Sequence, residues 1–411
     1  MSMKPALIGA IVCLLFLASP GICAGYSVLA HEAMVDESWQ QHIVPTLRQR
    51  FPRATNDQLT AARAYAYGGS LIHDLGYYPF GSRFFSDLLH YVRSGDFVET
   101  LVAEARDVNE LAFALGALAH YTSDTFGHRI AVNRVVPILY PKLRAEYGTE
   151  VLYAESPARH VMVEFAFDVL QAGRGRFSSD TYTELIGFEV ATPLLERAFR
   201  LTYGLELQDL FGDAELAIGT FRRASSTVIP DITRAAWKEK QKDILAATPQ
   251  LVERDIVYSM TRNEYEQAYG TRYRKPGLFA RFIVFVGKII PKVGPFRPLA
   301  FEPLTPPAAR LFLQSFDQAE QQYRAWLAES RVRRLALAAR DLDTGEAVHA
   351  GANALADKTF GELLKRFDKA KFAGLPVALR SSINAHYKGT TPDRRTAGRL
   401  TAMNNGVGSR F

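Results

Sequence analysis

Cysteine is nearly missing from this chain of 411 residues: there are two, Cys13 and Cys23, and both precede residue 24. The remainder can form no disulfide, no thiolate metal site and no cysteine nucleophile. Any metal centre beyond residue 24 must be built from His, Asp and Glu. Long apolar runs are also scarce. Ala6 to Ala18 and Leu278 to Ile290 are the strongest, and each is too short to span a bilayer. Alternating strand-like runs are absent. Gly and Pro, 29 and 20 residues, are too few for a fibrous or disordered chain. Charge of either sign is modest, with a net of +6 and a pI near 9.1, which favours anionic partners such as phospholipid head groups or nucleic acid.

The first two dozen residues have the form of a signal peptide. Lys4 is the positive start, Ala6 to Ala18 the apolar stretch, and Pro20-Gly21-Ile22-Cys23-Ala24 the helix break with small residues for cleavage. Residues 1–24 are therefore expected to direct export, to the periplasm or outside the cell. An uncleaved anchor and a lipoprotein attached through Cys23 fit less well, because Pro20 and Ile22 are poor neighbours for a lipidated cysteine.

Helical spacing dominates the rest of the chain. Apolar residues recur at three and four positions over Ala33–Arg50, Asp57–Ser70, Phe84–Arg93, Val108–Ser123, Pro157–Leu170 and Tyr182–Leu201. In the second half Asp213–Ile229 and Pro306–Arg340 are the longest candidates, with Pro230 ending or kinking the first. Gly76 to Gly81 reads as a loop, and the tail from Tyr387 as loose. Leu278–Ile290, with Arg281 and Lys288, reads as a buried helix or, less readily, a membrane-surface contact. The expected fold is an all-α multi-helix bundle. Residues 25–235 would form the site-bearing domain and 236–411 a helical extension of unknown role.

Seven of the nine histidines precede residue 161. His120, Asp124 and His128 stand at i, i+4 and i+8, so a continuous helix would place them on one face, and a carboxylate between two imidazoles can serve two metal ions. Gly127 offers a point where His128 leaves strict helical geometry. His160 and Glu164 repeat the i, i+4 pair on another helix. Two such pairs on neighbouring helices can hold a multinuclear centre, with His31, Asp74 and His90 filling the remaining valences. Imidazole and carboxylate without sulfur suit zinc, although another divalent ion is possible. His73, beside Asp74, could replace or support it. His42, His349 and His386 are not expected to be ligands.

The order of these residues, with the wording Ser27-Val-Leu-Ala-His31, Phe85-Ser-Asp-Leu-Leu-His90-Tyr91 and Ala119-His120-Tyr121, resembles the zinc-dependent phospholipase C family, whose fold is shared with zinc-dependent single-strand nucleases. The likeness covers about residues 26 to 170. It implies two to three zinc ions. Asp74, His90, His120 and Asp124 would hold the first, and His128, His160 and Glu164 the second. His31, Asp124 and a mature N-terminus at Tyr26, where the family has Trp, would hold the third. It implies in-line attack of water on a phosphodiester, with Asp74 as general base as well as ligand, and a phospholipid as substrate. A single-strand nuclease and a non-catalytic protein on the same scaffold are the alternatives.

Overall fold

The computed structural model describes residues 28–78, 80–173, 188–225, 301–331 and 334–405, with 233 and 242. Among these residues all repeating structure is helical, and the one β-type contact is an antiparallel bridge between Arg340 and Ala347. The chain is all-α. No described helix is long and apolar enough to cross a membrane.

The first helix, α1 (Val28–Ser38), is buried on nearly every side, so it runs through the interior. A π-helical turn (Trp39–Ile43) leads into α2 (Val44–Arg50). Thr55 and Gln58 form a reciprocal capping box at the start of α3 (Asn56–Leu71), where the polar start signal lies. A 3-10 turn (Ile72–Tyr77) comes next, then α4 (Arg83–Tyr91), α5 (Ser94–Glu104) and α6 (Val108–Phe126), the last capped by Asp107. A second π-helical turn (Gly127–Val132) precedes α7 (Asn133–Leu139) and α8 (Pro141–Tyr147). Beyond it lie α9 (Pro157–Gly173), α10 (Thr192–Tyr203) and α11 (Ala214–Arg223). After residue 300 come α12 (Pro306–Ser330), α13 (Ala354–Lys369), α14 (Val377–His386) and α15 (Arg394–Asn405).

The central pair is α3 against α6, and glycine sets how closely they approach. A Cβ on Gly69 would stand 1.9 Å from the Phe113 carbonyl oxygen, and one on Gly116 2.0 Å from that of Ala66. Only glycine permits this backbone contact. Across α6 lies α12, where the Tyr323 hydroxyl donates to the Leu115 carbonyl at 2.9 Å and Phe312 stacks on Phe167 of α9 at 4.4 Å. Burying each such ring contributes roughly 1.5–3 kcal/mol. One apolar core thus includes residues from Val28 to Met403, from both halves of the chain.

Several boundaries differ from the periodicity. Helix α12 ends at Ser330, not Arg340: residues 334–339 form no repeating structure, and the carbonyls of Ala338 and Arg340 accept from side chains of α6 and α5. Helix α5 carries no long apolar repeat, so periodicity does not reveal it. As far as Asn405 the tail is not loose: Asp393 accepts from the amides of Arg395 and Thr396, Arg399 pairs with Asp368, and Met403 is buried, which together hold α15. Residues 1–27, the Leu278–Ile290 segment and Pro230 lie outside the described residues, as does the start of the Tyr182–Leu201 expectation.

Gly116→Ala is expected to destabilise the protein by about 1–3 kcal/mol, since the new methyl must push α3 away from α6. Chemical denaturation checks this, and wild-type stability would show that the helices do not touch there.

Candidate metal centre

His31 sits in the first turn of α1. That turn is held by Asp168 on α9, whose carboxylate accepts from the amides of Leu29 (3.1 Å) and Ala30 (3.0 Å). A carboxylate there satisfies two of the amides that a helix start leaves unpaired and complements the helix dipole. On α6, His120 donates through Nδ1 to the carbonyl of Ser70 at 2.8 Å, a contact made possible by the close α3–α6 approach. Its Nε2 therefore faces Asp124, at 3.0 Å from Oδ2. His90, in the last turn of α4, likewise donates through Nδ1 to Ser86 at 2.8 Å. Its Nε2 lies 3.4 Å from Asp124 Oδ2 and 3.6 Å from Asp74 Oδ1, with Asp74 carried by the 3-10 turn. The second oxygen of Asp124, Oδ1, stands 3.4 Å from His31 Nε2.

Asp124 thus turns one oxygen to His31 and the other to His90 and His120. Two groups of potential ligands result, His31 with His120 and Asp124, and Asp74 with His90 and His120, each with ligand atoms within 4.8 Å of one another. All are buried.

His128 leaves this cluster. The π-helical turn that begins at Gly127 redirects it toward α9, where its ring centroid lies 6.0 Å from that of His160. His160 donates through Nε2 to the Val151 carbonyl at 2.6 Å, and its Nδ1 is 4.0 Å from Glu164 Oε1. The third member of this group is Asp343, whose Oδ1 is 3.4 Å from His128 Nδ1. His128, His160 and Asp343 have ligand atoms within 4.8 Å of one another. Sequence reasoning misses Asp343 because it lies in a turn, Asp341-Leu-Asp-Thr-Gly345, with no helical spacing to reveal it. Two Asp before Thr-Gly, a turn-forming run, are the available signal.

Of the residues named from sequence, His31, Asp74, His90, His120 and Asp124 converge. His128 and His160 converge separately, with Glu164 beside His160. Tyr26 lies outside the described residues. His73 is buried and stacks on His120 at 4.3 Å, the third ring of a His31–His120–His73 pile, and neither of its ring nitrogens has a hydrogen-bond partner. It is in none of the three ligand groups. His42 is half-buried and His349 exposed, while His386 pairs with Asp357 at 3.1 Å, remote in sequence from the cluster.

The electrostatics divide the two groups. Burial pushes His90 down, but the hydrogen bond to Asp124 and the charges of Asp74 and Asp124 raise it to about 9. Burial opposes ionisation of Asp124, yet His120, His90 and His31 hold it well below the usual carboxylate range. Asp74 is raised to about 7 by burial, with His120 and His90 only partly compensating. In the second group burial and neighbouring imidazoles depress His128 to about 4, and burial with His128 depresses His160 to about 3. Asp343 is pushed well up by burial and by Asp341.

Both oxygens of Asp74, Nδ1 of His128 and Nδ1 of His160 are buried without a hydrogen-bond partner. Such atoms cost about 1–3 kcal/mol each when left unmade. A cation that accepts imidazole and carboxylate donors relieves this, and the sulfur-free donor set fits zinc. The fixed outer nitrogens of His90, His120 and His160 set the tautomer that each would offer to it.

Zinc should displace the proton from His90, because a ligand nitrogen must be deprotonated and this one is protonated below about pH 9. Titration calorimetry of metal-stripped protein at pH 7, in two buffers of different ionisation enthalpy, should show net proton release. A heat that does not depend on buffer would mean His90 is already neutral.

Residues 30–212 match a family model described as zinc dependent phospholipase C. That span contains every named ligand candidate from His31 to Glu164, and it excludes Asp343. No match is found among curated proteins or solved structures.

Proposed function

Since residues 30–212 match the zinc-dependent phospholipase C family, we propose that this chain is an exported phospholipase C that cleaves phospholipids to diacylglycerol and a phosphorylated head group. The observation that carries the reading is Asp124, with its two oxygens turned to imidazoles on opposite sides. That arrangement suits a carboxylate shared by two ions. Asp74, His90, His120 and Asp124 would hold one, His31 and Asp124 a second, and His128 and His160 a third. Bound zinc supplies Lewis acidity toward the phosphate oxygens and acidifies water near neutral pH.

The protein's own groups set up the rest. Asp74 is the carboxylate placed to accept a proton from the attacking water, with neither oxygen engaged in a hydrogen bond. The apolar walls of α3, α4 and α6 keep bulk water from the buried imidazoles. The ordered outer nitrogens keep the ligand rings from turning away.

A nuclease on the same scaffold would need aromatic platforms for bases beside the site. Tyr78 is buried and its hydroxyl contacts Ser225 at 3.5 Å, so it packs inward. Tyr77 lies tilted to His90 at 6.0 Å and Phe80 is exposed, so these two rings can meet a lipid chain or a base, and the choice of substrate separates the readings.

Zinc-loaded protein should hydrolyse phosphatidylcholine and not single-stranded DNA, and a chelator should stop it. Asp124→Asn should lose turnover with the helical content retained. Asp74→Asn should cost about 10²–10⁴-fold in kcat. Cleavage of single-stranded DNA in preference to lipid would replace this reading with the nuclease one. Full zinc content with no turnover of either would leave a binding protein.

Export supplies a separate check. The mature chain recovered from outside the cytoplasm should begin at Tyr26 where its terminus joins His31 and Asp124 in holding an ion, as read by intact mass, and a start at Gly25, from cleavage after Ala24, would leave that position weak or absent. Retention of residues 1–24 in the functional protein would sink the export part of the proposal.

A further inference from the structure

The segment after α12 reaches the second ligand group and is fastened along its way. Leu337 donates its amide to the carboxylate of Glu99, and the Tyr121 hydroxyl donates to the Ala338 carbonyl at 2.7 Å. Ser94 Oγ and Arg340 exchange hydrogen bonds at 2.7 and 3.0 Å. The Leu342 amide donates to the carbonyl of His90 at 3.1 Å, which ties the segment to the first group as well. The turn itself is set by Asp341, whose carboxylate accepts from the amides of Asp343 (2.9 Å) and Thr344 (3.1 Å). Gly345 has φ +71°, and a Cβ there would stand 2.7 Å from the Thr125 carbonyl oxygen, so the turn lies flat on the end of α6. Asn133 Nδ2 donates to the Asp343 carbonyl at 2.7 Å, and Asn353 Nδ2 to its Oδ2 at 3.3 Å. The carboxylate is therefore aimed, and only 2% of Asp343 is exposed.

Two donors on one tetrahedral zinc, each about 2.1 Å from it, stand roughly 3.4 Å apart. The His128 Nδ1 to Asp343 Oδ1 separation is 3.4 Å. We propose that Asp343 is a metal ligand at the second position, with His128 and His160. It comes from beyond the 30–212 family match and fastens the 334–353 segment to the bundle through the metal. Glu164, 4.0 Å from His160 Nδ1, stands beside the group but outside its set of mutually close ligand atoms. The proposal rests on the zinc reading of these residues, and it is independent of which phosphodiester is cleaved.

The test uses the full chain, stripped of metal and reloaded. Asp343→Asn should bind about one zinc ion fewer per chain than wild type. Asp343→Cys, loaded with cobalt(II), should show a thiolate-to-cobalt charge-transfer band in the near ultraviolet that cobalt-loaded wild type lacks. The chain's own cysteines at 13 and 23 are controlled by that wild-type spectrum. The cobalt band also carries the test if Asp343→Asn does not fold. A folded Asp343→Cys without the band, or Asp343→Asn with wild-type zinc content, overturns the proposal and makes Asp343 a hydrogen-bonded buried carboxylate. Either result can be read with lipid turnover intact, so it fails separately from the phospholipase reading. Conversely, the band with no turnover of any phosphodiester leaves the ligand and removes the enzyme.

Discussion

Burying a carboxylate costs several kcal/mol unless charge and hydrogen bonds compensate for lost water, and Asp124 is completely buried. It stays ionised because imidazoles from α1, α4 and α6 surround it at 3.0–3.4 Å. Each of those helices must be held to within a fraction of an ångström for this to work. The glycine contact between α3 and α6 brings the Ser70 carbonyl within reach of His120 Nδ1. The Asp168 carboxylate seats the first turn of α1, and with it His31. The packing of the bundle is thereby tuned to one side chain.

A second regularity lies in what the rings do with their outer nitrogens. His90, His120 and His160 each donate to a backbone carbonyl, respectively of Ser86, Ser70 and Val151. Backbone acceptors cannot ionise, so the tautomer they impose does not change with pH, unlike one imposed by a carboxylate. His73 has no such anchor although it is equally buried and stacks flat against His120. It belongs to the packing that keeps the His120 ring in its plane, and Asp74, its chain neighbour, is the one of the two that joins a group of potential ligands.

What can be read from sequence is what helices repeat. The pairs His120–Asp124 and His160–Glu164 announce themselves because four residues return to the same face, and both pairs lie where that spacing puts them. The convergence of His31, Asp74 and His90 on Asp124 has no local signature. Only their order along the chain, through the likeness to a known family, suggests it. Asp343 is invisible on both counts: it sits in a turn, and it lies past the span that the family covers. The run at 334–340 imitates a helix in sequence for a related reason. Its apolar residues fit a helical period, but the backbone groups find partners on α5 and α6. The helix at 394–405 escapes a reading by period because its stability comes from Asp393 and Asp368, not from an apolar stripe.

The two ligand groups differ in how they meet a cation. Around Asp124 a proton on His90 already plays the part of positive charge. Its folded value of about 9 lies above the ordinary histidine value of 6.5, so the stability it lends is complete below 6.5 and is lost as pH rises through 9. A metal at that position competes with a proton, and it gains on the proton as pH rises. Around His128 and His160 the values fall to about 4 and 3, so both imidazoles are neutral across the physiological range, whereas burial and Asp341 push Asp343 well up, so the proton that must leave there is a carboxyl one. Metal therefore displaces an imidazole proton in the first group and a carboxyl proton in the second. Acid and base thus act on different parts of one centre. The strap that carries Asp343 also hydrogen-bonds to His90, so the two parts share a mechanical link as well as a core.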